Sequence, residues 1–314
     1  MQEIVASVLV LKDTAGHLLH EPWAEQTRRL LRESGLDLRP LADLIPVPSW
    51  YIPDFLTPPP TTPAPDFQSQ LAALRATPPA QVRADLEHLV DVESPWISEL
   101  HDDPTDGLDR LAYLIERYWN LAIAPHWPRL RALQQGDVLY RGRRLADGGA
   151  AMLFEDLAPI VRWRDDRLYI AHPRYAGTHS LDGQGLLLVP SVFVWPSVFS
   201  STIEPWQPTL TYPARGVGSL WTQGERSTPE AVAAVIGRSR ALLLAELEIP
   251  ASTTELAVRT GLAPGSVSEH LTTLRAAGLV TAHRAGRFVL YTRTSVAESL
   301  LTAPVTHGLQ RRTG

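Results

Sequence analysis

One stretch near the carboxyl end decides the fold of this region: Ser252-Thr-Thr-Glu-Leu-Ala-Val-Arg-Thr-Gly-Leu-Ala-Pro-Gly-Ser-Val-Ser-Glu-His-Leu-Thr-Thr-Leu-Arg-Ala-Ala-Gly-Leu-Val280. It predicts two short amphipathic helices joined by a tight turn, the layout of a helix-turn-helix. The residues directly behind it, 279–292, predict a β-hairpin with a basic tip. A helix-turn-helix followed by a basic hairpin is a winged helix, and this arrangement indicates a DNA reader.

Local signals fix the ends of both helices. Ser252 and Glu255 have the spacing of a capping box, and Gly261 supplies the left-handed backbone that a tight turn needs. Pro264 is suited to the first turn of the second helix. Within that helix Val267, Leu271 and Leu274 recur at i, i+4 and i+7, so we expect them to face the core.

The opposite side of the second helix should then enter a major groove, with the hairpin arginines on phosphates or in a minor groove. We expect His270, beside the core stripe, to be packed rather than to read bases. The candidate DNA-contacting residues are Thr253, Pro264, Gly265, Ser266, Ser268, Glu269, Thr272 and Arg275, together with Arg284 and Arg287 of the hairpin.

Charge and composition agree with two domains, divided near residue 224. Residues 224–314 carry a net charge of +3 and residues 1–223 a net charge of −8, so the basic balance lies with the reader motif. The chain has no cysteine, which excludes disulfides and thiolate metal sites. No segment resembles a signal peptide or a membrane span. We expect a cytoplasmic protein with no membrane association.

Residues 1–223 predict helices followed by strands. The predicted helices are 22–34, 66–76, 79–90, 105–123 and 127–147; the predicted strands are 160–164, 167–171, 185–189, 191–195 and 209–212. The apolar segment 4–11 fits either a strand or a helix. The predicted fold class is α+β and mostly helical: an N-terminal helical domain with a small antiparallel sheet, and a C-terminal winged helix-turn-helix domain.

The acidic, Trp-rich first domain suggests dimerisation or binding of a small-molecule effector. The residues that we expect to line an effector pocket, with core packing as the alternative for each, are Trp119, Trp127, Trp163, Trp195, Trp206 and Tyr212. The carboxylates of 101–106 are interpreted as a turn capping a helix, and Arg141, Arg143 and Arg144 as a solvated helix face. No catalytic motif is present, so the sequence predicts no enzyme, cofactor or metal.

Residues 228–301 resemble the ArsR-type winged helix-turn-helix family. The residues that carry the resemblance are Gly237-Arg-Ser-Arg240, Ser252-Thr-Thr-Glu-Leu-Ala257, Gly261-Leu262, Val267-Ser-Glu-His-Leu271, Leu274, Ala277-Gly-Leu-Val280 and Gly286-Arg287. The resemblance implies a homodimer on an inverted repeat of double-stranded DNA, usually a repressor released by a signal. Many members sense metals through cysteines or through acidic residues and histidines of the last helix. This chain has no cysteine and only Glu298 and His307 after Ser295.

Residues 1–220 resemble an uncharacterised domain that precedes such readers in actinobacterial regulators, through Pro53-Asp-Phe-Leu-Thr-Pro58 and Leu188-Val-Pro-Ser-Val-Phe-Val-Trp-Pro196. The sequence therefore predicts a sequence-specific transcriptional regulator. Two alternatives stay open: a protein-interaction module that uses the winged helix as a docking surface, and an enzyme fused to a DNA reader.

Overall fold

The chain divides into two compact units, Met1–Trp221 and Thr222–Gly314, called here the N-terminal unit and the C-terminal unit. A computed structural model of the protein describes residues 1–13, 15–48, 51–60, 62, 65–89, 92, 94–171, 177–202, 206–221, 230–247, 250–285 and 288–302. Helices predominate in both units and the strands are short, so the predicted α+β, mostly helical fold class is confirmed.

The helices of the N-terminal unit are α1 Gln2–Lys12, α2 Glu21–Ser34, α3 Arg39–Asp43, α4 Phe67–Arg75, α5 Pro79–Glu87, α6 Pro95–Asp102, α7 Pro104–Tyr118 and α8 Trp127–Phe154. The ambiguous apolar segment 4–11 is helical. Every residue from Gln2 to Val10 of α1 is buried, so its hydrophobicity follows no single face. A helix that is apolar all round lies in a core, which is why periodicity alone did not separate helix from strand.

Helix α7 continues as a π-helical turn, Trp119–Ile123, before a 3-10 turn leads into α8. In this turn the carbonyl of Ala122 accepts a hydrogen bond at 3.0 Å from the indole Nε1 of the buried Trp23. Helix α8 was expected to end at residue 147. It extends to Phe154, with non-helical backbone at Gly148 and at Gly149, whose φ is +66°.

The strands of the N-terminal unit are β1 Val161–Arg164, β2 Arg167–Ile170, β3 Leu187–Ser191, β4 Phe199–Ser201 and β5 Thr209–Pro213. Strands β1 and β2 form the predicted hairpin, and Asp165 and Asp166 make its turn with φ values of +51° and +55°. The other three strands form a sheet of order β3-β5-β4, in which β3 runs parallel to β5 and β4 antiparallel to it. This sheet is therefore mixed, whereas the sequence predicted antiparallel pairing.

The predicted strand 191–195 is wrong: only Ser191 belongs to a strand, and a turn follows it. The physical reason is the carboxylate of Glu3 in α1. It accepts hydrogen bonds from the backbone nitrogens of Val192 at 2.7 Å and Phe193 at 3.1 Å, and from Ser191 Oγ at 2.9 Å. These donors are satisfied by a side chain, so they need no neighbouring strand.

The C-terminal unit consists of α9 Glu230–Ile236, α10 Arg238–Glu246, α11 Thr253–Thr260, α12 Pro264–Ala276, β6 Val280–Ala285, β7 Phe288–Arg293 and α13 Ser295–Thr302. Strands β6 and β7 pair antiparallel. The buried core comprises Leu243, Leu244, Leu247, Ala251, Leu256, Ala257, Val267, Leu271, Leu274, Val280 and Ala297. Helices, turn and hairpin follow the order of the predicted winged helix-turn-helix. The cap predicted at Thr228 lies outside the described residues.

Candidate nucleic-acid interface

Helix α11 begins with the predicted capping box. The backbone nitrogen of Ser252 donates to Glu255 Oε2 at 2.7 Å, and the backbone nitrogen of Glu255 donates to Ser252 Oγ at 3.3 Å. Such a cap stabilises a helix by about 1 kcal/mol. Gly261 ends the helix with φ +71°, and its amide donates to the carbonyl of Ala257. These features fix the turn that separates α11 from α12.

Helix α12 is oriented by its apolar stripe. Val267, Leu271 and Leu274 are at most 1% exposed, as the i, i+4, i+7 spacing predicts. Gly278 follows the helix with φ +71°, and the backbone nitrogen of Leu279 donates to the carbonyl of Leu274 at 2.9 Å. His270 is half-buried, in agreement with its predicted packing role. The stripe fixes which side of α12 faces outward.

The outward side of α12 carries the predicted contact residues. The exposed members are Pro264, Gly265, Ser266, Ser268, Glu269, Thr272 and Arg275, whereas Thr253 at the start of α11 is half-buried. The hydroxyl of Thr272 donates to the carbonyl of Ser268 at 2.9 Å, and that of Thr273 donates to the carbonyl of Glu269 at 3.1 Å. Because their protons are engaged within the helix, these threonines present mainly acceptor oxygens and methyl groups outward.

The hairpin is joined to the helices through its second strand. Tyr291 of β7 and Ala251 exchange backbone hydrogen bonds of 2.9 and 3.1 Å, just before α11 begins. The hydroxyls of Thr281 and Thr292 bond across the strands at 2.7 Å. Arg284 is exposed near the end of β6, where it can reach an anionic backbone. Gly286 and Arg287 of the predicted tip lie outside the described residues.

The six residues predicted to line an effector pocket do not form one group. Trp119 and Trp127 are in edge-to-face contact, with ring centroids 4.9 Å apart. Trp163 packs on the apolar cluster to which the buried Tyr212 belongs. Trp195 is 37% exposed, and Trp206 is half-buried. Over the described ranges no ring contact links the first pair to the other four, and the lining of an effector pocket by these six residues stays a prediction.

A buried polar network surrounds Tyr212. Its hydroxyl donates to Asp137 Oδ2 at 2.6 Å, and the backbone nitrogen of Arg215 donates to Asp137 Oδ1 at 3.1 Å. Burial raises the pKa of Asp137. Arg141 is only 4% exposed. Its buried guanidinium donates hydrogen bonds to the carbonyl of Leu153 at 3.0 Å and to the carboxylate of Asp156. The interpretation of Arg141 as part of a solvated helix face is therefore wrong; Arg143 is exposed as expected.

Other polar clusters have structural explanations. Asp103 caps α7, its carboxylate accepting from the backbone nitrogen of Asp106 at 3.2 Å, as the turn interpretation predicted. Within the part of the chain that the structure describes, no three acidic or histidine side chains are grouped so as to hold a metal ion. The described residues also contain no helix with the length and hydrophobicity to cross a membrane.

An aromatic cluster that sequence reasoning missed holds the end of the N-terminal unit. The indole Nε1 of Trp221 donates to Nδ1 of the fully buried His20 at 2.8 Å. The ring of Phe193 lies 4.4 Å from that of Trp23 and 5.1 Å from that of His20, and His126 contacts Trp221 edge-on at 5.3 Å. These residues are distant in sequence, so no local pattern could have grouped them.

This cluster predicts a pH dependence of stability. Burial, with the nearby His17, lowers the pKa of His20 from 6.5 to about 4. Because the unfolded chain binds this proton more readily, the stabilisation is complete above pH 6.5 and is lost as the pH falls towards 4. Between pH 7.0 and 4.5 we expect His20 to contribute a loss of about 2–3 kcal/mol to the free energy of unfolding, from its pKa difference. Denaturation followed by tryptophan fluorescence at pH 7.0 and 4.5 measures it.

The matched variants are His20→Gln and His101→Gln. Glutamine at position 20 keeps an acceptor for Trp221 but does not titrate, so its stability should fall less between the two pH values than that of the wild type. His101 is partly exposed, and its replacement should leave the wild-type difference intact. Parallel pH dependences for the wild type and His20→Gln would contradict the assignment.

Two family models match the chain. Residues 241–282, from α10 to the start of β6, match the bacterial regulatory protein, arsR family, and residues 91–218 match a family of unknown function (DUF5937). No curated protein and no solved structure matches the chain. The arsR-family match supports a DNA-binding transcriptional regulator, while the match over the N-terminal unit adds no activity. The chain is thus similar to the arsR-family helix-turn-helix over residues 241–282 and to the DUF5937 family over residues 91–218.

Proposed function

We propose that the protein is a sequence-specific repressor of transcription that acts in the cytoplasm, reads an inverted repeat as a homodimer and responds to a small molecule bound by its N-terminal unit. The observation that carries the proposal is the outward side of α12. Ser266, Ser268 and Arg275 are exposed there, while the opposite stripe is buried in the core. Short hydroxyls and an arginine on a helix of this orientation suit phosphates and base edges in a major groove.

Exposed valines support the dimer. Val235 in α9 is 79% exposed and Val296 in α13 is 62% exposed. Both lie outside the recognition surface of α12 and the hairpin, so contact with DNA does not explain them. Association of two copies would remove these side chains from water, and each valine fully buried contributes about 1.5–3 kcal/mol. Two copies related by a twofold axis would also present two α12 helices to the two half-sites of a repeat.

The proposal is tested by binding of the full chain to DNA from its own promoter region, at several salt concentrations. Arg284→Ala should weaken binding to all sequences to a similar degree, because a phosphate contact carries no sequence information. It should also reduce the slope of log K against log salt by about 0.9, the value for one neutralised phosphate. Fluorescence anisotropy of labelled duplexes measures both quantities.

Arg143→Ala is the matched control, since Arg143 is an exposed arginine of the N-terminal unit. Its salt slope should equal that of the wild type. Two results would count against the proposal: no binding to any inverted repeat of the promoter region, or an Arg284→Ala slope equal to that of the control. The second result would favour a winged helix that docks on protein.

A further inference from the structure

The N-terminal unit contains a cleft of about 460 Å³ between the end of α8 and strand β1. Its lining residues are Ala151, Met152, Phe154, Glu155, Val161, Arg162 and Trp163. Ligand pockets typically measure about 300–1,000 Å³, so this volume suits a small molecule. A second cleft, of about 260 Å³, falls below that range, and its cation Arg110 already contacts Glu99 at 3.1 Å.

The backbone kink of α8 sets one wall of the cleft. At Gly148 a Cβ atom would lie 2.0 Å from Met152 Sδ, so a side chain at position 148 would force Met152 to move from the place it occupies beside the cleft. The following Gly149 has φ +66° and ψ −158°, a conformation that side-chain-bearing residues rarely adopt. The two glycines therefore place Ala151 and Met152 against the cleft, which a continuous helix would not do.

The charges that line the cleft leave one cation without a carboxylate. Glu155 is paired with Arg144. Arg162 is exposed, and its guanidinium donates at 2.8 Å to the carbonyl of Val161, within its own strand. Among the described residues Arg162 forms no ion pair. An exposed guanidinium that forms no ion pair can bind the carboxylate of a ligand through two parallel hydrogen bonds.

The apolar wall of the cleft is aromatic. The rings of Phe154 and Trp163 stack on each other, 5.4 Å apart with an angle of 20° between their planes, and the half-buried Trp163 is the more exposed of the two. A planar ring can stack on an indole in an offset arrangement, and Met152 in the same lining adapts its shape readily. We propose that this cleft binds a planar aromatic carboxylate, with its carboxylate on Arg162 and its ring against Trp163. This ligand would be the small-molecule effector of the proposed function. The ligand site can exist without that function, but its role in regulation rests on it.

The test is calorimetric titration of the DNA-free full chain with 2-naphthoate, indole-3-carboxylate and benzoate. Naphthalene-2-carboxamide, which is planar but neutral, and cyclohexanecarboxylate, which is charged but not planar, are the matched ligands. We expect at least one aromatic carboxylate to bind, and the two matched ligands to bind at least tenfold more weakly. No binding of any of the three acids at millimolar concentration would overturn the proposal.

The protein variants separate the site from the rest of the hairpin. Arg162→Gln should weaken binding at least tenfold, while Arg164→Gln should bind as the wild type does. Arg164 is exposed two residues further along β1 but does not line the cleft. Equal affinities of Arg162→Gln and the wild type would overturn the assignment. Trp163→Leu should also bind the aromatic acids more weakly. Because this change removes part of the apolar cluster, weaker binding supports the site only if the variant and the wild type have the same unfolding transition.

A parallel measurement of promoter binding keeps this proposal distinct from the proposed function. If the protein binds an aromatic acid but no promoter DNA, the proposed ligand site is supported and the proposed regulatory function is contradicted. If the protein binds promoter DNA but none of the three acids, only the proposed ligand site is contradicted.

Discussion

Replacing Glu3 with alanine should reduce the free energy of unfolding of the N-terminal unit by about 2–6 kcal/mol, because two buried backbone amides lose their acceptor. Burial raises the pKa of Glu3. The fully buried carboxylate accepts four hydrogen bonds, the fourth from Gln134 Nε2 at 2.6 Å. Without it, the amides of Val192 and Phe193 remain buried and unpaired, and each such group costs about 1–3 kcal/mol. Urea denaturation followed by tryptophan fluorescence measures the change.

The tryptophan signal suits this measurement because all nine tryptophans lie between Trp23 and Trp221, in the N-terminal unit. Glu25→Ala in α2 is the matched control, since Glu25 is exposed and surface substitutions usually change stability by less than about 0.5 kcal/mol. Glu3→Gln should be intermediate, because one acceptor oxygen remains while an amide group faces the other donors. A Glu3→Ala transition that coincides with the Glu25→Ala transition would show that Glu3 does not hold the turn.

The contrast between Glu3 and α12 explains what the sequence could predict. The ends and the buried stripe of α12 depend on residues within a few positions of each other, so spacing and capping rules were sufficient. Glu3, in contrast, resembles an ordinary acidic residue in the first turn of a helix. Its partners are Gln134 and residues 191–193, far along the chain. No local rule joins them, and the strand predicted at 191–195 was wrong for the same reason.

The candidate sites divide in the same way. The exposed positions of α12 follow from the heptad-like spacing of its core residues, and their contact with DNA remains a prediction. The cleft could not be predicted, because it depends on the kink at Gly148 and on the stacking of Phe154 with Trp163. Tryptophan content pointed to Trp163 among the six candidates but did not separate it from the others. Arg141 was misread because the partners that bury it, Leu153 and Asp156, follow a change in helix direction.

Replacing Leu271 with alanine should abolish DNA binding while leaving the N-terminal unit folded. Leu271 is fully buried in the core that joins α12 to the other helices, and a leucine-to-alanine change in such a site costs about 2–5 kcal/mol. Domains have a free energy of unfolding of only about 5–15 kcal/mol. A loss of this size should therefore leave the C-terminal unit largely without a fixed orientation of α12. We expect a lower midpoint in far-ultraviolet circular dichroism, an unchanged tryptophan transition and no detectable complex with promoter DNA.

Thr273→Ala provides the comparison on the same helix. Thr273 is exposed and its hydroxyl bonds only to the preceding turn, so its removal should change stability by less than about 0.5 kcal/mol. The tryptophan transition distinguishes the two explanations of lost binding. If Leu271→Ala also shifts that transition, the two units do not unfold independently, and the loss of binding cannot be assigned to α12. If the variant binds DNA with wild-type affinity, the orientation of α12 by its buried stripe is not what creates the recognition surface.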